Sequence, residues 1–143
     1  METCIFCDIL AGNSPASMVY QDELCSAFMD IQPVNPGHVL VIPNAHAAHL
    51  ADLAEETGAH LFRIAQRTAA ALRESGIKCE GVNLFLADGE AAMQDVFHVH
   101  LHVIPRYQGD GFGLRLPPEY FNKPERSELD GIAEDIRKAL ESS

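Results

Sequence analysis

The sequence contains few basic residues and no long apolar run. Ten Lys and Arg stand against 21 Asp and Glu, which gives a formal net charge of −11. A surface of this sign is repelled by a phosphate backbone, so we expect no nucleic-acid partner. No apolar stretch approaches the ~20 residues that a membrane helix needs, so we expect no membrane partner either. Residues 1–16 lack a basic segment and a long apolar core, which predicts no signal peptide and a cytoplasmic location.

Length and composition predict one globular domain over residues 1–143. Apolar residues make up 47% of the chain, which is typical of a folded protein. A domain of this size buries roughly 68–70% of its unfolded-chain surface and needs no disulfides to fold. The chain has only four cysteines, and in the cytoplasm we expect them to be free or metal-bound. A small anionic ligand is compatible with the negative charge if histidines and backbone N–H groups form a local site.

The order of the apolar patterns predicts an α+β fold. Short apolar runs bounded by turn residues predict five strands, the first two forming a hairpin, whereas a period of 3.6 predicts two helices. Strands before and after one long helix, with a further helix at the C-terminus, indicate a mainly antiparallel sheet. The predicted strands cover 17–21, 25–30, 38–43, 81–87 and 97–105, and the helices cover 50–75 and a segment from about Ser127, with Leu129, Ile132, Ala133, Ile136 and Leu140 on one face.

Three histidines alternate with apolar residues between Phe97 and Arg106. Because successive side chains of a strand point to opposite faces, His98, His100 and His102 would share one face of the sheet. A solvated face that happens to contain histidine is one explanation, although adjacent imidazoles oppose one another's protonation. A metal-binding face is another, because three imidazoles can hold Zn²⁺.

Catalysis by these histidines is the interpretation that we favour. Residues i, i+2 and i+4 of a strand span about 13 Å at ~3.3 Å per residue, so one metal would not reach all three. Imidazole has a pKa of about 6.5, so a neutral and nucleophilic form is abundant at pH 7. A neighbouring histidine can carry a proton or donate a hydrogen bond to a phosphate oxygen.

This segment resembles the signature of the histidine-triad (HIT) superfamily, and the resemblance covers most of the chain. The matching signature is His98-Val-His100-Leu-His102-Val-Ile. Further blocks match the family in the same order, which argues against chance similarity. They are Cys4-Ile-Phe-Cys7-Asp-Ile-Leu, Phe28-Met-Asp30-Ile31, Gly37-His38-Val-Leu-Val-Ile-Pro43-Asn-Ala-His46, Gln94 and Pro105-Arg106.

The resemblance implies covalent catalysis on a nucleotide. In the family the histidine that matches His100 attacks the α-phosphate and forms a nucleotidyl-histidine intermediate, which water then hydrolyses. The resemblance also implies that His102 contacts the phosphate and that His38 supports the histidines. The backbone carbonyl of His98 would orient the nucleophile, since a carbonyl that accepts from Nδ1–H leaves Nε2 free to attack.

The implied activity is that of a nucleotide hydrolase or nucleotidyl transferase. The implied substrate is a purine nucleotide, either a phosphoramidate or a dinucleoside polyphosphate. The alternative is a non-catalytic nucleotide-binding or scaffold module, which would have little need of a nucleophile. Because family members pair so that two sheets join into one, the resemblance also implies a homodimer.

A nucleoside pocket follows from the same resemblance. Apolar side chains would surround the base, Asp30 would accept from the ribose hydroxyls, and Gln94 would lie near the phosphates beside His100 and His102. Without the resemblance, ordinary core would be the simpler interpretation of the apolar residues. The implied base-binding residues are Phe6, Ile9, Phe28 and Ile31.

Three positions depart from the pattern of many relatives. Ala87 stands where they carry Asn, Met93 where they carry Gly, and Asp95 where they carry Ser. These positions contact ribose or phosphate in relatives, and an acidic Asp95 would repel a phosphate. We therefore expect its carboxylate to point away and leave only its N–H to serve. The departures bear on the leaving group more than on the nucleophile.

Cys4 and Cys7 form a C-x-x-C pair, which indicates a metal site. The alternatives are a redox pair, which the lack of a thioredoxin-like βαβ pattern weakens, and two buried small residues. Some bacterial relatives bind zinc with this pair, and the resemblance implies that His98 and His46, rather than the nearby His49, complete the site. A Cys₂His₂ set is closed, so the Zn²⁺ would be structural.

The remaining cysteines and one histidine match no motif. Cys25 and Cys79 are expected to be core or surface thiols, and His60 an incidental residue of the long helix.

Zinc at His98 would make that ring unavailable as a proton donor, so His102 or a water would protonate the leaving group.

Overall fold

Five antiparallel strands form the frame that carries the candidate site. The computed structural model describes residues 3–143. The strands follow one another across the sheet in the order β1-β2-β3-β5-β4, and each neighbouring pair is antiparallel. This arrangement confirms the predicted α+β class and the N-terminal hairpin. The strands are β1 (Met18–Gln21), β2 (Cys25–Met29), β3 (Val39–Pro43), β4 (Gly81–Leu86) and β5 (Leu101–Arg106).

The helices are α1 (Ile5–Leu10), α2 (Glu55–Glu74) and α3 (Arg126–Glu141). The prediction that the long helix begins near Leu50 is wrong, because 50–52 form a separate 3₁₀ turn. In that turn the Asp52 carboxylate accepts from the backbone N–H of His49. Leu53 and Ala54 then have extended backbone angles, which interrupt the helical hydrogen bonds before α2 starts.

Alternation along the strands divides the core into two layers. The side of the sheet that faces α2 carries Val39, Val41 and Val103, which pack with Leu61 and Ile64 of that helix. The opposite side carries Phe28, Leu40 and Ile42, which pack against Phe6 of α1. Burying each such side chain contributes roughly 1.5–3 kcal/mol. The candidate site therefore lies on a sheet that apolar packing holds on both sides.

The ladder of the histidine segment is shorter than predicted, and the chain bends at 96–98 before it begins. Strand β5 begins at Leu101, which is paired with Val41 of β3 and Leu86 of β4. Residues 97–100 precede the ladder although β3 continues to Pro43, because the Val99 N–H donates to the Ala47 carbonyl instead. Alternation holds all the same, since Val99, Leu101 and Val103 belong to the core beside α2.

A polar centre links the β1–β2 hairpin to α2, and His60 belongs to it. Asp22 Oδ2 lies 2.6 Å from His60 Nε2 and 2.7 Å from the Tyr20 hydroxyl. Oδ1 accepts from the backbone N–H groups of Leu24 and Cys25. Burial by itself would raise the pKa of Asp22, but the bonds from His60, Tyr20 and the two amides hold it well below its usual range. The expectation that His60 is incidental is wrong.

Replacing Asp22 with Asn is expected to lower the free energy of unfolding by about 1–3 kcal/mol, because it removes the charge that these donors share. Asp52→Asn is the matched control. Asp52 also lies beside a histidine, at 3.7 Å from His49 Nδ1, but both side chains are exposed, so a change below about 1 kcal/mol is expected. Urea denaturation of both variants measures the difference. Equal effects would show that the Asp22 centre contributes no more than a surface pair.

The chain forms two compact units that divide between Gly111 and Phe112. The first contains the sheet with α1 and α2. The second contains a 3₁₀ turn at Pro118–Phe121 and α3, and the predicted apolar face of α3 is exposed. The prediction of one domain over residues 1–143 stays a prediction. Within residues 3–143, none of the helices combines the length and apolar character needed to cross a membrane.

Candidate active site

The three alternating histidines lie on the side of the sheet that faces α1. His98 and His100 are buried and His102 is half-buried. The Phe6 ring makes edge contacts with His98 and His100, at centroid distances of 5.8 Å and 5.2 Å. The His100 and His102 rings lie 4.9 Å apart. Strand alternation thus brings the three rings together beside the first helix.

A backbone hydrogen bond determines which nitrogen of His100 is free. Nδ1 lies 2.8 Å from the carbonyl oxygen of His98. A carbonyl can only accept, so Nδ1 carries the proton and Nε2 has the available lone pair. The neutral His100 ring is therefore oriented as a nucleophile, with Nε2 as the attacking atom.

A chain of hydrogen bonds assigns the tautomers of His38 and His102. The Val34 N–H donates to His38 Nδ1 at 3.0 Å, so the proton of the neutral ring is on Nε2. His38 Nε2 then donates to His102 Nδ1 at 2.8 Å. His102 in its neutral form must carry its own proton on Nε2, where it can donate to a phosphate oxygen. Asp30 lies 3.5 Å from His38 Nε2 and accepts from the Gln32 N–H.

Burial lowers the pKa of His38, His98 and His102. It lowers the pKa of His102 to about 4, helped by the charges of His100 and His38 and opposed by Asp30. It also lowers the pKa of His38, against the opposing effect of Asp30, and that of His98, against its bond to the Pro43 carbonyl. A neutral His102 is a hydrogen-bond donor at pH 7 rather than a cation.

Cys4, Cys7, His46 and His98 converge on one point, although up to 94 residues separate them. The S···N separations are 3.4 Å for Cys4 to His98, 3.4 Å for Cys7 to His46 and 3.6 Å for Cys7 to His98, and the two Nδ1 atoms lie 3.2 Å apart. A tetrahedral zinc site with ordinary bond lengths has S···N edges of ~3.6 Å and N···N edges of ~3.3 Å. The four ligand atoms therefore fit Zn²⁺.

Local structure explains why this set can form. Cys4 is the N-cap of α1 and its sulfur accepts from the Cys7 N–H, so one helical turn brings both thiols to the same side. His98 donates from Nε2 to the Pro43 carbonyl at 2.8 Å, which directs Nδ1 toward the sulfurs. His49 instead belongs to the 3₁₀ turn with Asp52. The His98 side chain thus faces the cysteines, while its carbonyl faces His100.

The residues expected around the base divide into two groups. Phe6 and Phe28 are buried in contact with each other, at a centroid distance of 5.4 Å, and Ile9 packs against their cluster. Ile31 is 95% exposed, beside the half-buried Asp30. The first group forms core that also supports His100, whereas Ile31 has a free apolar surface on which a base could lie.

Gln94 anchors the loop that precedes the histidines through hydrogen bonds to backbone groups. Its Nε2 donates to the carbonyls of Ala48 and Val96, and its Oε1 accepts from the Gly89 N–H. The buried amide is therefore engaged with backbone on both sides, and a direct phosphate contact by Gln94 stays a prediction. Met93, before it, has φ of 70°, a left-handed conformation that favours glycine.

The other two departures have different surroundings. Ala87 is buried and, lacking a polar side chain, offers no hydrogen bond to ribose or phosphate. Asp95 Oδ1 lies 3.5 Å from His100 Nε2, although 82% of its side chain is exposed. The expectation that this carboxylate points away is wrong. The direction of the Asp95 side chain could not be predicted from sequence, because it depends on the loop that the hydrogen bonds of Gln94 hold in place.

The fold and this site have counterparts among known proteins. The family model for the HIT domain matches residues 11–109. The chain is 42% identical to Protein hit of Bacillus subtilis, covering 99% of this chain and 97% of that protein. It is 34% identical to the adenosine 5′-monophosphoramidase hnt1 of Schizosaccharomyces pombe, covering 96% and 98%.

A solved structure resembles the chain along nearly its whole length. It is that of a zinc-bound histidine triad family protein from Mycobacterium smegmatis, with 41% identity, a TM-score of 0.75, and coverage of 98% of this chain and 96% of that one. Proteins of the matching family are generally nucleotide hydrolases or transferases. From the matched domain and these similarities, we conclude that the chain belongs to the histidine-triad (HIT) family.

Proposed function

We propose that this protein cleaves a purine nucleotide at the α-phosphate through a nucleotidyl intermediate on His100. The observation that carries the proposal is the 2.8 Å hydrogen bond from His100 Nδ1 to the His98 carbonyl. This bond leaves Nε2 unprotonated in the neutral ring and holds it in one orientation. A binding or scaffold module would have no use for a nucleophile prepared in this way.

The reaction proceeds in two displacements. His100 Nε2 forms a bond to phosphorus while the bond from phosphorus to the leaving group breaks, and the leaving group takes the bonding electrons and a proton. That proton comes from a water, because the His98 ring is directed at the cysteines and the neutral His102 has only its Nε2–H, which donates a hydrogen bond. Water then attacks phosphorus, the pair in the phosphorus–nitrogen bond returns to His100, and the water's proton is released. The product is a nucleoside monophosphate.

Neighbouring residues support the binding of the nucleotide. The chain of bonds through His38 prepares His102 to donate to a phosphate oxygen. Asp30 is the acceptor for ribose hydroxyls, and the exposed Ile31 offers a surface for the base. We propose that Gln94 acts by positioning the loop, since its own amide bonds to backbone.

We further propose that one Zn²⁺ per chain is held by Cys4, Cys7, His46 and His98. The support is the near-tetrahedral set of distances and the zinc-bound relative from Mycobacterium smegmatis. Four protein ligands leave no open position, so the metal would supply stability and not Lewis-acid chemistry. A reducing compartment such as the cytoplasm, where we place the protein, would keep both thiols available.

Release of AMP from adenosine 5′-phosphoramidate tests the proposed function directly. Incubation of the protein with this substrate, followed by a rapid alkaline quench, should also preserve an adenylyl group on the peptide that contains His100. Alkaline conditions are needed because phosphoramidate bonds to histidine are acid-labile. Nucleotide binding without any AMP release would favour the binding module instead, and an adduct on another residue would overturn the assignment of His100.

We also propose a homodimer, as the family resemblance implies. Strand β4 is an edge of the sheet, and its outer backbone groups are available to pair with a second copy. In addition, the apolar face of α3 is exposed, with Ile132 at 52%, Ile136 at 57% and Leu140 at 70%. Such a face is stabilised when a partner covers it.

Light scattering is expected to give twice the chain mass of 15.6 kDa at micromolar concentration. Ile136→Glu should shift the protein toward monomer, because a charge would be buried in the proposed contact. Ser127→Glu, which adds the same charge outside the apolar face of α3, is the control and should leave the mass unchanged. A wild-type mass near 15.6 kDa would contradict the dimer.

A further inference from the structure

An acidic side chain lies beside the proposed nucleophile, where its charge would repel a phosphate. Asp95 Oδ1 is 3.5 Å from His100 Nε2. The residue follows Gln94, whose buried amide ties the loop to the carbonyls of Ala48 and Val96. The backbone that carries Asp95 is therefore held in place, and the carboxylate adds a negative charge beside the attacking atom.

The cleft next to this carboxylate has the same sign of charge. It has a volume of 710 Å³, and its described lining includes Asp8 as well as Asp95, with Phe97 and Ile5 as apolar surface. Among the residues that the structure describes along this cleft, none is lysine or arginine. A polyanionic group entering here would meet the carboxylates of Asp8 and Asp95 without a lysine or arginine to compensate for them.

In-line displacement brings every leaving group close to Asp95. The attacking and leaving atoms lie on opposite sides of phosphorus, about 5 Å apart. Since Asp95 Oδ1 is 3.5 Å from the attacking atom, the leaving atom lies within about 9 Å of the carboxylate, which is near the Debye length at physiological salt. Its charge therefore acts on the leaving group as well as on the α-phosphate.

We propose that Asp95 is a specificity-determining residue that selects leaving groups by charge, favouring neutral or cationic amines over polyphosphates. The inference rests on the proposed function and names the substrate class of the same site. Repulsion of the α-phosphate is common to all substrates, so it does not discriminate. A polyphosphate brings about three further negative charges, and in a water-like dielectric these lower kcat/KM roughly tenfold relative to an amine at low ionic strength.

The test compares two substrates that share the adenosine α-phosphate. Values of kcat/KM are measured for adenosine 5′-phosphoramidate and diadenosine tetraphosphate with wild type, Asp95→Asn and Asp95→Glu. Asp95→Asn should lower the ratio in favour of the amine about tenfold, whereas Asp95→Glu should preserve much of it. Glu74→Gln, which removes an equal charge from the exposed end of α2, should leave the ratio unchanged.

The dependence of this kcat/KM ratio on ionic strength tests the charge of Asp95, because a purely structural role of the residue would not make the ratio depend on salt. In wild type the ratio should fall as salt rises from about 0.02 M to 0.3 M, because the charges are screened over this range. In Asp95→Asn it should depend on salt much less. Equal ratios and equal salt dependence in the two proteins would overturn the selectivity proposal. If Asp95→Asn fails to fold, the salt dependence is measured with wild type alone. A wild-type ratio that does not change with salt would also contradict the proposal.

The two proposals fail in different ways. If wild type releases AMP from the substrates through His100 but Asp95→Asn leaves the ratio unchanged, only the role of Asp95 is wrong. If wild type turns over neither substrate, the proposed function falls and the selectivity proposal falls with it. A ratio that favours the polyphosphate more strongly in wild type than in Asp95→Asn would reverse the inferred sign.

Discussion

Replacing His100 with Ala is expected to lower kcat for adenosine 5′-phosphoramidate by about 10⁴-fold or more, because removing a covalent nucleophile costs several orders of magnitude in rate. The substituted protein should still bind AMP, since His102, the proposed phosphate donor, and Asp30, the proposed ribose acceptor, stay in place. Steady-state assays of AMP release and calorimetric binding of AMP measure the two effects separately. Loss of turnover with retained binding is the expected pattern.

Two further measurements make this result specific to the nucleophile. His49→Ala removes a different imidazole, which packs beside Phe97 at a centroid distance of 5.7 Å, and should retain most of the activity. In His100→Gly, the buried ring leaves a space that free imidazole can occupy, because the native side chain is only 3% exposed. Added imidazole should therefore restore part of the turnover. Full activity of His100→Ala would refute covalent catalysis by this residue.

Removal of zinc is expected to lower the melting temperature by roughly 10 °C or more. Structural zinc binds the folded chain and not the unfolded one, so its binding free energy adds to stability. A loss of about 3 kcal/mol corresponds to a shift of this size in a chain of about 140 residues. Differential scanning calorimetry with and without a chelator, together with elemental analysis of protein purified without added metal, provides the measurement.

Single cysteine variants separate the metal site from general thiol effects. Cys4→Ser should behave like the chelated protein, because it removes one of the four proposed ligands. Cys79→Ser is the matched control, since Cys79 is half-buried and its sulfur donates only to the Gly81 carbonyl. Zinc well below one equivalent per chain, with no thermal shift on adding it, would show that Cys4 and Cys7 have another role.

Activity distinguishes a structural metal from a catalytic one. At temperatures where the chelated protein stays folded, turnover should largely survive, because His100 needs no metal to attack a phosphate. His98→Ala should be more damaging than Cys4→Ser, since the ring leaves the proposed metal site and the segment that orients His100 is disturbed as well. Loss of activity in proportion to zinc removed, with the fold intact, would mean that the metal is catalytic.

The side of the sheet on which the triad lies could be predicted from sequence because it depends on local geometry. Alternation along the chain separates His98, His100 and His102 from Val99 and the other core residues, although the ladder begins only at Leu101. The same period predicted the hairpin and the α+β class. A period of 3.6 likewise predicted the long helix, although not the residue at which it begins.

Sequence alone determined the chemistry of the candidate ligands and nucleophile but not their distances, partners or tautomers. The order of the strands and their register bring His46 and His98 to the cysteines of α1, and the bond from Val34 to His38 decides which nitrogen of His102 carries a proton. Only the tertiary structure directed Asp95 toward His100 and paired Asp22 with His60. Local periodicity specifies the face that a side chain occupies, whereas contacts between distant segments depend on how the packed elements position their backbones.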